Sequence, residues 1–292
     1  MDLGAWSGGS NAHRNRSPRQ RVGRRLRRGL RYARDRREIR SDPSYRRLAE
    51  AYELPDGNRR VYCYHVRKTA GTSLFLSFLA LGGEDPMDVW RRLTASRLPR
   101  AISGDFSFAA NHRLLLAEGA YFYGRAHRTA ARQSRPPKTV TVTVLRDPIE
   151  RVHSYFDYLV TGDEPSTPAR ATDRQRVVAA AGFDAFVERV PARLLLNQLA
   201  LFSERFDVSE ASDRIAACSS VFFTEQFADG LAVLGQRLQL PLEVQRARVT
   251  AHRTSLTAEQ IERLRARLEP EYELLRRLEE GGIAGRGSAL PA

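Results

Sequence analysis

VYCYHVRKTAGTSL, residues Val61–Leu74, sets an aromatic and β-branched run directly before a turn that holds a lysine, a glycine and three hydroxyl side chains. Val61–Val66 predicts a strand and Thr72–Leu81 a helix, with RKTAGTS as the turn between them. In an α/β sheet such a turn lies at the carboxyl end of a strand, where a helix N-terminus directs unpaired N–H groups at an anion. Gly71 lets the backbone come close to a ligand, Thr69, Thr72 and Ser73 supply hydroxyls, and Lys68 supplies a mobile ammonium. The chain carries only Lys68 and Lys138 as lysines among 48 basic residues, which sets Lys68 apart from ordinary surface charge. The turn is not a nucleoside-triphosphatase loop, because GxxxxGK[ST] puts lysine after the second glycine and here Lys68 precedes the only one.

A second turn of the same kind lies in VTVLRDPIERVHSYFDYL. Alternating Thr and Val up to Leu145 predict a strand, Arg146 stands at its end, and Pro148 suits the first position of a helix that continues through Tyr158. Arg146 is placed to meet an anion from the strand end, and Ser154 offers a hydroxyl two helical turns further on. Asp147 fits an N-cap. Arg151 reads as surface charge or as part of the same motif.

Strand-like runs alternate with helical patterns along the rest of the body: RAISGDF, AYFYG, then SSVFFT followed by FADGLAVLGQRL. Nearly continuous apolar strands that alternate with helices predict an α/β fold, a mostly parallel central sheet flanked by helices on both faces. Near the end, Thr257 and Gln260 form a capping box ahead of a helical face of Ile261, Leu264, Leu268, Leu275 and Leu278, and Pro270 is expected to split it into two helices.

The net charge of +14 is concentrated in one place. Up to Arg47 there are fifteen arginines against four acids, eleven of the fourteen net charges. Residues 1–42 therefore read as a basic, disordered arm, 43–280 as the folded domain and 281–292 as a flexible tail. The arm suits an anionic surface, an anionic polymer or nucleic acid. No run is apolar enough to span a membrane and the start has no apolar export segment, which predicts a cytoplasmic chain with peripheral membrane contact open to the arm. The preference for arginine over lysine points to a G- and C-rich bacterial genome. Cys63 and Cys218 have neither metal nor disulfide spacing and read as small buried hydrophobes.

The two turns together resemble the nucleotide-binding signature of sulfotransferases that use 3'-phosphoadenosine 5'-phosphosulfate (PAPS), in particular the carbohydrate-type branch. His65, Lys68, Thr69, Gly71, Thr72 and Ser73 match its first loop, H-x-x-K-T-x-G-T-S. Arg146, Asp147, Pro148, Arg151 and Ser154 match R-D-P-x-x-R-x-x-S-x-Y, whose final tyrosine is replaced by Phe156 with Tyr155 beside it. VFFTEQFADGLAVLGQRLQLP and RLLLNQLALFS resemble further segments, the second one lining the adenine side. The resemblance covers residues 61–280. It implies a P-loop-like sulfotransferase fold and sulfuryl transfer from PAPS, without a metal, to a hydroxyl of a carbohydrate or glycolipid.

It also implies roles. Lys68, Thr69, Gly71, Thr72 and Ser73 cradle the 5' side, Arg146 and Ser154 grip the 3'-phosphate, and Lys68 stabilises charge on the bridging oxygen as the S–O bond breaks. The acceptor hydroxyl needs a base. His127, 19 residues before Arg146, resembles the family's acceptor-side histidine, and Asp105 after Gly104 is the rival. His65 reads as a strand-end packing or loop-orienting residue, while His112, His153 and His252 read as surface or helix histidines. A different class of answer is an anionic-polymer or nucleic-acid binding protein with a catalytically silent α/β body. A nucleotide kinase would share the strand-turn-helix logic but not the loop order.

Overall fold

The computed structural model describes residues 51–88, 122–126, 129–130, 135–161, 170–245 and 253–283. Asp105, His127, His112, His252, the RAISGDF stretch and the basic arm lie outside them. The described strands are β1 (Arg60–Tyr64), β2 (Tyr123–Ala126), β3 (Thr139–Leu145) and β4 (Ser220–Phe223). They form one sheet in the order β2-β1-β3-β4 with every pairing parallel.

The helices are α1 (Gly71–Ala80), α2 (Pro148–Thr161), α3 (Arg170–Ala180), α4 (Phe183–Arg189), α5 (Ala192–Leu195), α6 (Asn197–Phe202), α7 (Val208–Ala216), α8 (Phe227–Leu238) and α9 (Ala258–Glu280). The expected α/β class is thus present, with the sheet flanked by helices. Period-two alternation divides the strand residues between its faces. Val61, Cys63, Val140, Val142 and Val144 pack with Leu74, Phe75 and Phe78 of α1 and Leu231, Leu234 and Leu238 of α8. On the opposite face Tyr64 meets Phe202 of α6 edge-on, with ring centroids 5.3 Å apart. The threonines of β3 point the same way and their hydroxyls are bonded: Thr143 Oγ1 donates to the Tyr64 carbonyl at 3.1 Å. A buried hydroxyl is costly only when unpaired.

Strand order fixes where a ligand can sit. The chain leaves β1 for β2 on one side, returns past β1 to β3, and continues to β4 on the other side. β1 and β3 are therefore the strands between which the winding reverses, the point where the crevice of an open parallel sheet opens. Tyr64 is in register with Thr143, so the turns after β1 and β3 emerge side by side.

A second core lies among the helices, with Val152, Phe156 and Leu159 of α2 against Phe183 and Phe186 of α4 and Leu264, Leu268 and Tyr272 of α9. Phe156, in the register of the motif's tyrosine, meets Phe183 at 5.1 Å, so an unsubstituted ring suits this site. The capping box forms as expected: Gln260 N–H donates to Thr257 Oγ1 at 3.2 Å, and the Thr257 N–H donates back to Gln260 Oε1 at 3.1 Å.

Expectations are corrected at Pro270, Arg151 and Cys218. Pro270 does not divide the last helix, which runs unbroken over 23 residues. Proline in a helix interior costs about 3 kcal/mol, but Leu264 and Leu268 before it and Tyr272 after it are buried in one cluster, and that packing holds both halves in line. Arg151 is not surface charge: it is 0% exposed and pairs at 3.1 Å with Glu271, also 0% exposed. His153 is a helix histidine but a buried one, 3.6 Å from Asp157 with Arg253 donating to its Nδ1 at 3.2 Å. Cys63 is buried as expected, whereas Cys218 is only half-buried.

Candidate functional site

The first turn is shaped by its backbone. Lys68 and Ala70 both adopt left-handed conformations, with φ of 65° and 56°. Each costs an L-residue about 1–2 kcal/mol, so surrounding contacts must hold them there. Thr69 supplies one: it is 1% exposed and its Oγ1 donates to the Val66 carbonyl at 3.1 Å. That hydroxyl closes the turn instead of facing outward, and Thr72 and Ser73 follow as half-buried residues in the first turn of α1.

Gly71 begins α1 because nothing larger fits. A Cβ there would lie 2.2 Å from Cδ2 and Nε2 of His65, whose buried ring lies against the glycine. From β2, Arg125 Nη1 donates to the Gly71 carbonyl at 2.8 Å while its guanidinium lies 4.1 Å from the Phe75 ring centroid. The N-cap residue of α1 is Ala70, which has no side chain able to bond the first N–H groups. Those groups have no intrahelical acceptor and point to the end of the sheet.

The second turn is held by side chains. Asp147 Oδ1 accepts from the Glu150 N–H at 2.8 Å, the expected cap, and its Oδ2 accepts from the Tyr272 hydroxyl at 3.1 Å. Burial and the negative charge of Asp147 together hold the Tyr272 phenol above its usual range, so it stays a donor. Gln198 of α6 brackets Arg146, with Oε1 accepting from its N–H and Nε2 donating to its carbonyl, both at 2.9 Å.

The two turns touch. Arg146 Nη1 donates to the Lys68 carbonyl at 3.2 Å, while Nη2 lies 3.4 Å from Glu150 and Nε 4.0 Å from Glu225. Burial pushes the Arg146 guanidinium below its usual value, and Glu150 and Glu225 push it partly back. An arginine remains charged through such a shift. Its fork is thus a partly desolvated cation that already contacts the backbone from which Lys68 projects.

Ser154 is half-buried on α2, one turn beyond Glu150 and one turn before Tyr158 on a single stripe. The Lys68 ammonium lies 4.7 Å from the Tyr158 ring centroid. Lys68, Arg146 and the start of α1 with Gly71, Thr72 and Ser73 are therefore assembled from two turns at one end of the sheet, and Ser154 stands on α2 between Glu150, which pairs with Arg146, and Tyr158, which meets Lys68. Tyr155 Oη donates to Gln175 Oε1, so the hydroxyl missing from Phe156 is not replaced here by its neighbour.

Sequence reading missed Asn197, Gln198, Arg125, Tyr158 and Glu271. The one visible signal was the pair Asn197-Gln198 inside the otherwise apolar run LLLNQLALF. Among the described residues, no group of three or more His, Cys, Asp or Glu side chains converges as a metal ion would require. Nor does any described helix have the length and apolarity to cross a membrane. Comparison of the chain with protein-family models and with curated proteins returned no match.

Proposed function

We propose that this body transfers a sulfuryl group from PAPS to a hydroxyl of a carbohydrate or glycolipid, on a sulfotransferase-type fold. One observation carries the reading. Two anion-suited turns follow the adjacent strands β1 and β3 at the point where the winding reverses, and Arg146 of one reaches the Lys68 carbonyl of the other. A nucleotide with phosphate at both its 3' and 5' positions needs two cationic sites side by side. The order and spacing of the turns also resemble those of PAPS-dependent sulfotransferases.

In this reading the N–H groups at the start of α1 and the hydroxyls of Thr72 and Ser73 receive the 5' side, and Arg146 with Ser154 receives the 3'-phosphate. Thr69 and Gly71 shape the loop, the first through its bond to Val66 and the second through its clearance of His65. The acceptor oxygen forms a bond to sulfur as the bond from sulfur to the bridging phosphate oxygen breaks. The leaving oxygen keeps the electron pair, and Lys68 neutralises the charge that grows there. The proton of the acceptor goes to a base for which His127 and Asp105 remain the candidates. His127 is preferred over Asp105 because it resembles the family's acceptor-side histidine, 19 residues before Arg146.

The experiment is transfer from radiolabelled PAPS to a panel of polysaccharides and glycolipids, run beside thermal-shift titration with 3'-phosphoadenosine 5'-phosphate (PAP) and with ATP. Label transfer and stabilisation by PAP are expected. Stabilisation by ATP alone would favour a kinase, and response to neither nucleotide would favour a silent binding body.

A further inference from the structure

Asn197 and Gln198 are consecutive, yet each holds a different turn. Asn197 Oδ1 accepts from the Arg67 N–H of the first turn at 2.8 Å, and its Nδ2 donates to the Arg193 carbonyl at 3.2 Å. Gln198 brackets Arg146 of the second turn from both sides. Neighbouring Cα atoms are about 3.8 Å apart whatever the surroundings do. A rigid dipeptide thus spans the two anion-suited turns.

The dipeptide is itself fixed from below. Glu271 of α9 accepts through Oε1 from the Gln198 N–H at 2.6 Å and the Leu199 N–H at 3.3 Å, and through Oε2 from Arg151 at 3.1 Å. Arg151 also donates to the carbonyls of Leu194, at 3.3 Å, and Leu195. Gln198, Arg151 and Glu271 are all 0% exposed. Replacing such a buried ionic cluster with apolar packing is often neutral or stabilising, so stability alone is a weak reason for one. What the cluster does provide is a single permitted position for Asn197 and Gln198.

We propose that Asn197 and Gln198 are positioning residues that set the separation of the two anion sites, making the crevice selective for a nucleoside with two separated phosphates over one with either phosphate alone. This rests on the nucleotide reading of the turns. Two tethered contacts reinforce each other only where the ligand's own spacing matches that of the sites. A crevice of variable width loses the reinforcement while each site keeps its own affinity.

The test is calorimetric titration of the full chain with PAP, adenosine 5'-phosphate and adenosine 3'-phosphate. It is made on the wild type, on Asn197→Leu and on Gln198→Met, with circular dichroism and thermal unfolding as the check on folding. The wild type is expected to bind the bisphosphate roughly a hundredfold more tightly than either monophosphate. In Asn197→Leu the bisphosphate should weaken by at least about tenfold while each monophosphate stays within about threefold. Gln198→Met should do the same, and if it does not fold, Asn197→Leu decides alone. Parallel weakening of all three ligands, or an unchanged preference, would overturn the spacer. A wild type with no preference for the bisphosphate would overturn the nucleotide reading and the spacer with it, an outcome seen before any variant is made.

Discussion

The turn after β1 and the turn after β3 each lead a parallel strand into a helix, but by different construction. The first is a matter of backbone shape, with two left-handed residues, a glycine pressed against the His65 ring and a threonine bonded within the turn. The second is a matter of side-chain bonds, with Asp147 capping α2 and Gln198 bracketing Arg146 from another helix. In the first turn, residue identity matters through the space and dihedral it permits. In the second it matters through partners far along the chain, 120 residues away in the case of Arg151 and Glu271. The first can be recognised locally, and the second depends on the rest of the fold being in place.

This contrast makes the largest effect one on stability at the second turn. Glu271→Ala leaves Arg151 buried without its carboxylate and should cost about 3–5 kcal/mol in urea unfolding. Nucleotide affinity should fall in whatever fraction still folds. If the variant is as stable as the wild type, the second turn does not rely on its remote support.

Lys68→Ala probes the chemistry of the first turn. Turnover should drop about a hundredfold or more, equivalent to about 2.7 kcal/mol, while the affinity for PAP changes much less. Lys68→Arg should recover only part of the rate, because a planar fork directs its charge differently from an ammonium. Single-turnover transfer measured beside binding separates the cases, and equal losses in rate and affinity would reduce Lys68 to a phosphate anchor.

Arg146→Ala removes a side chain that joins the two turns. Charge-assisted bonds to a phosphate contribute about 1.5–3 kcal/mol, so PAP binding should weaken at least about tenfold. An affinity within about twofold of wild type would take Arg146 out of the site. The smallest effect is expected at Thr257→Ala, which removes a cap bonded within the first turn of α9 itself. It should lower stability by about 1 kcal/mol and leave the ligand preference unchanged.

What was legible in the sequence follows the same division. The threonine-valine alternation of β3, the helix over FADGLAVLGQRL and the box at Thr257 and Gln260 were readable because period, propensity and capping are local signals. Lys68 and Arg146 stood out for the same reason, as polar residues at the ends of strands. Arg151 could not be assigned, since its buried state depends on a glutamate in the last helix and no pattern within α2 records that partner. Pro270 misled because helix propensity is local while the packing that overrides it is not. Asn197 and Gln198 were visible as a polar interruption of an apolar run, but what they hold was not. Asp105 and His127 lie outside the described residues, so the proton acceptor still rests on resemblance.

The central claim is that the two turns form one site for one nucleotide with two separated anions. Its most direct test is calorimetry of the wild-type chain with PAP and, separately, with ATP. The account predicts saturable one-to-one binding of PAP at least about tenfold tighter than ATP, a difference of about 1.4 kcal/mol. Tighter binding of ATP, or no heat of binding with PAP, would contradict it.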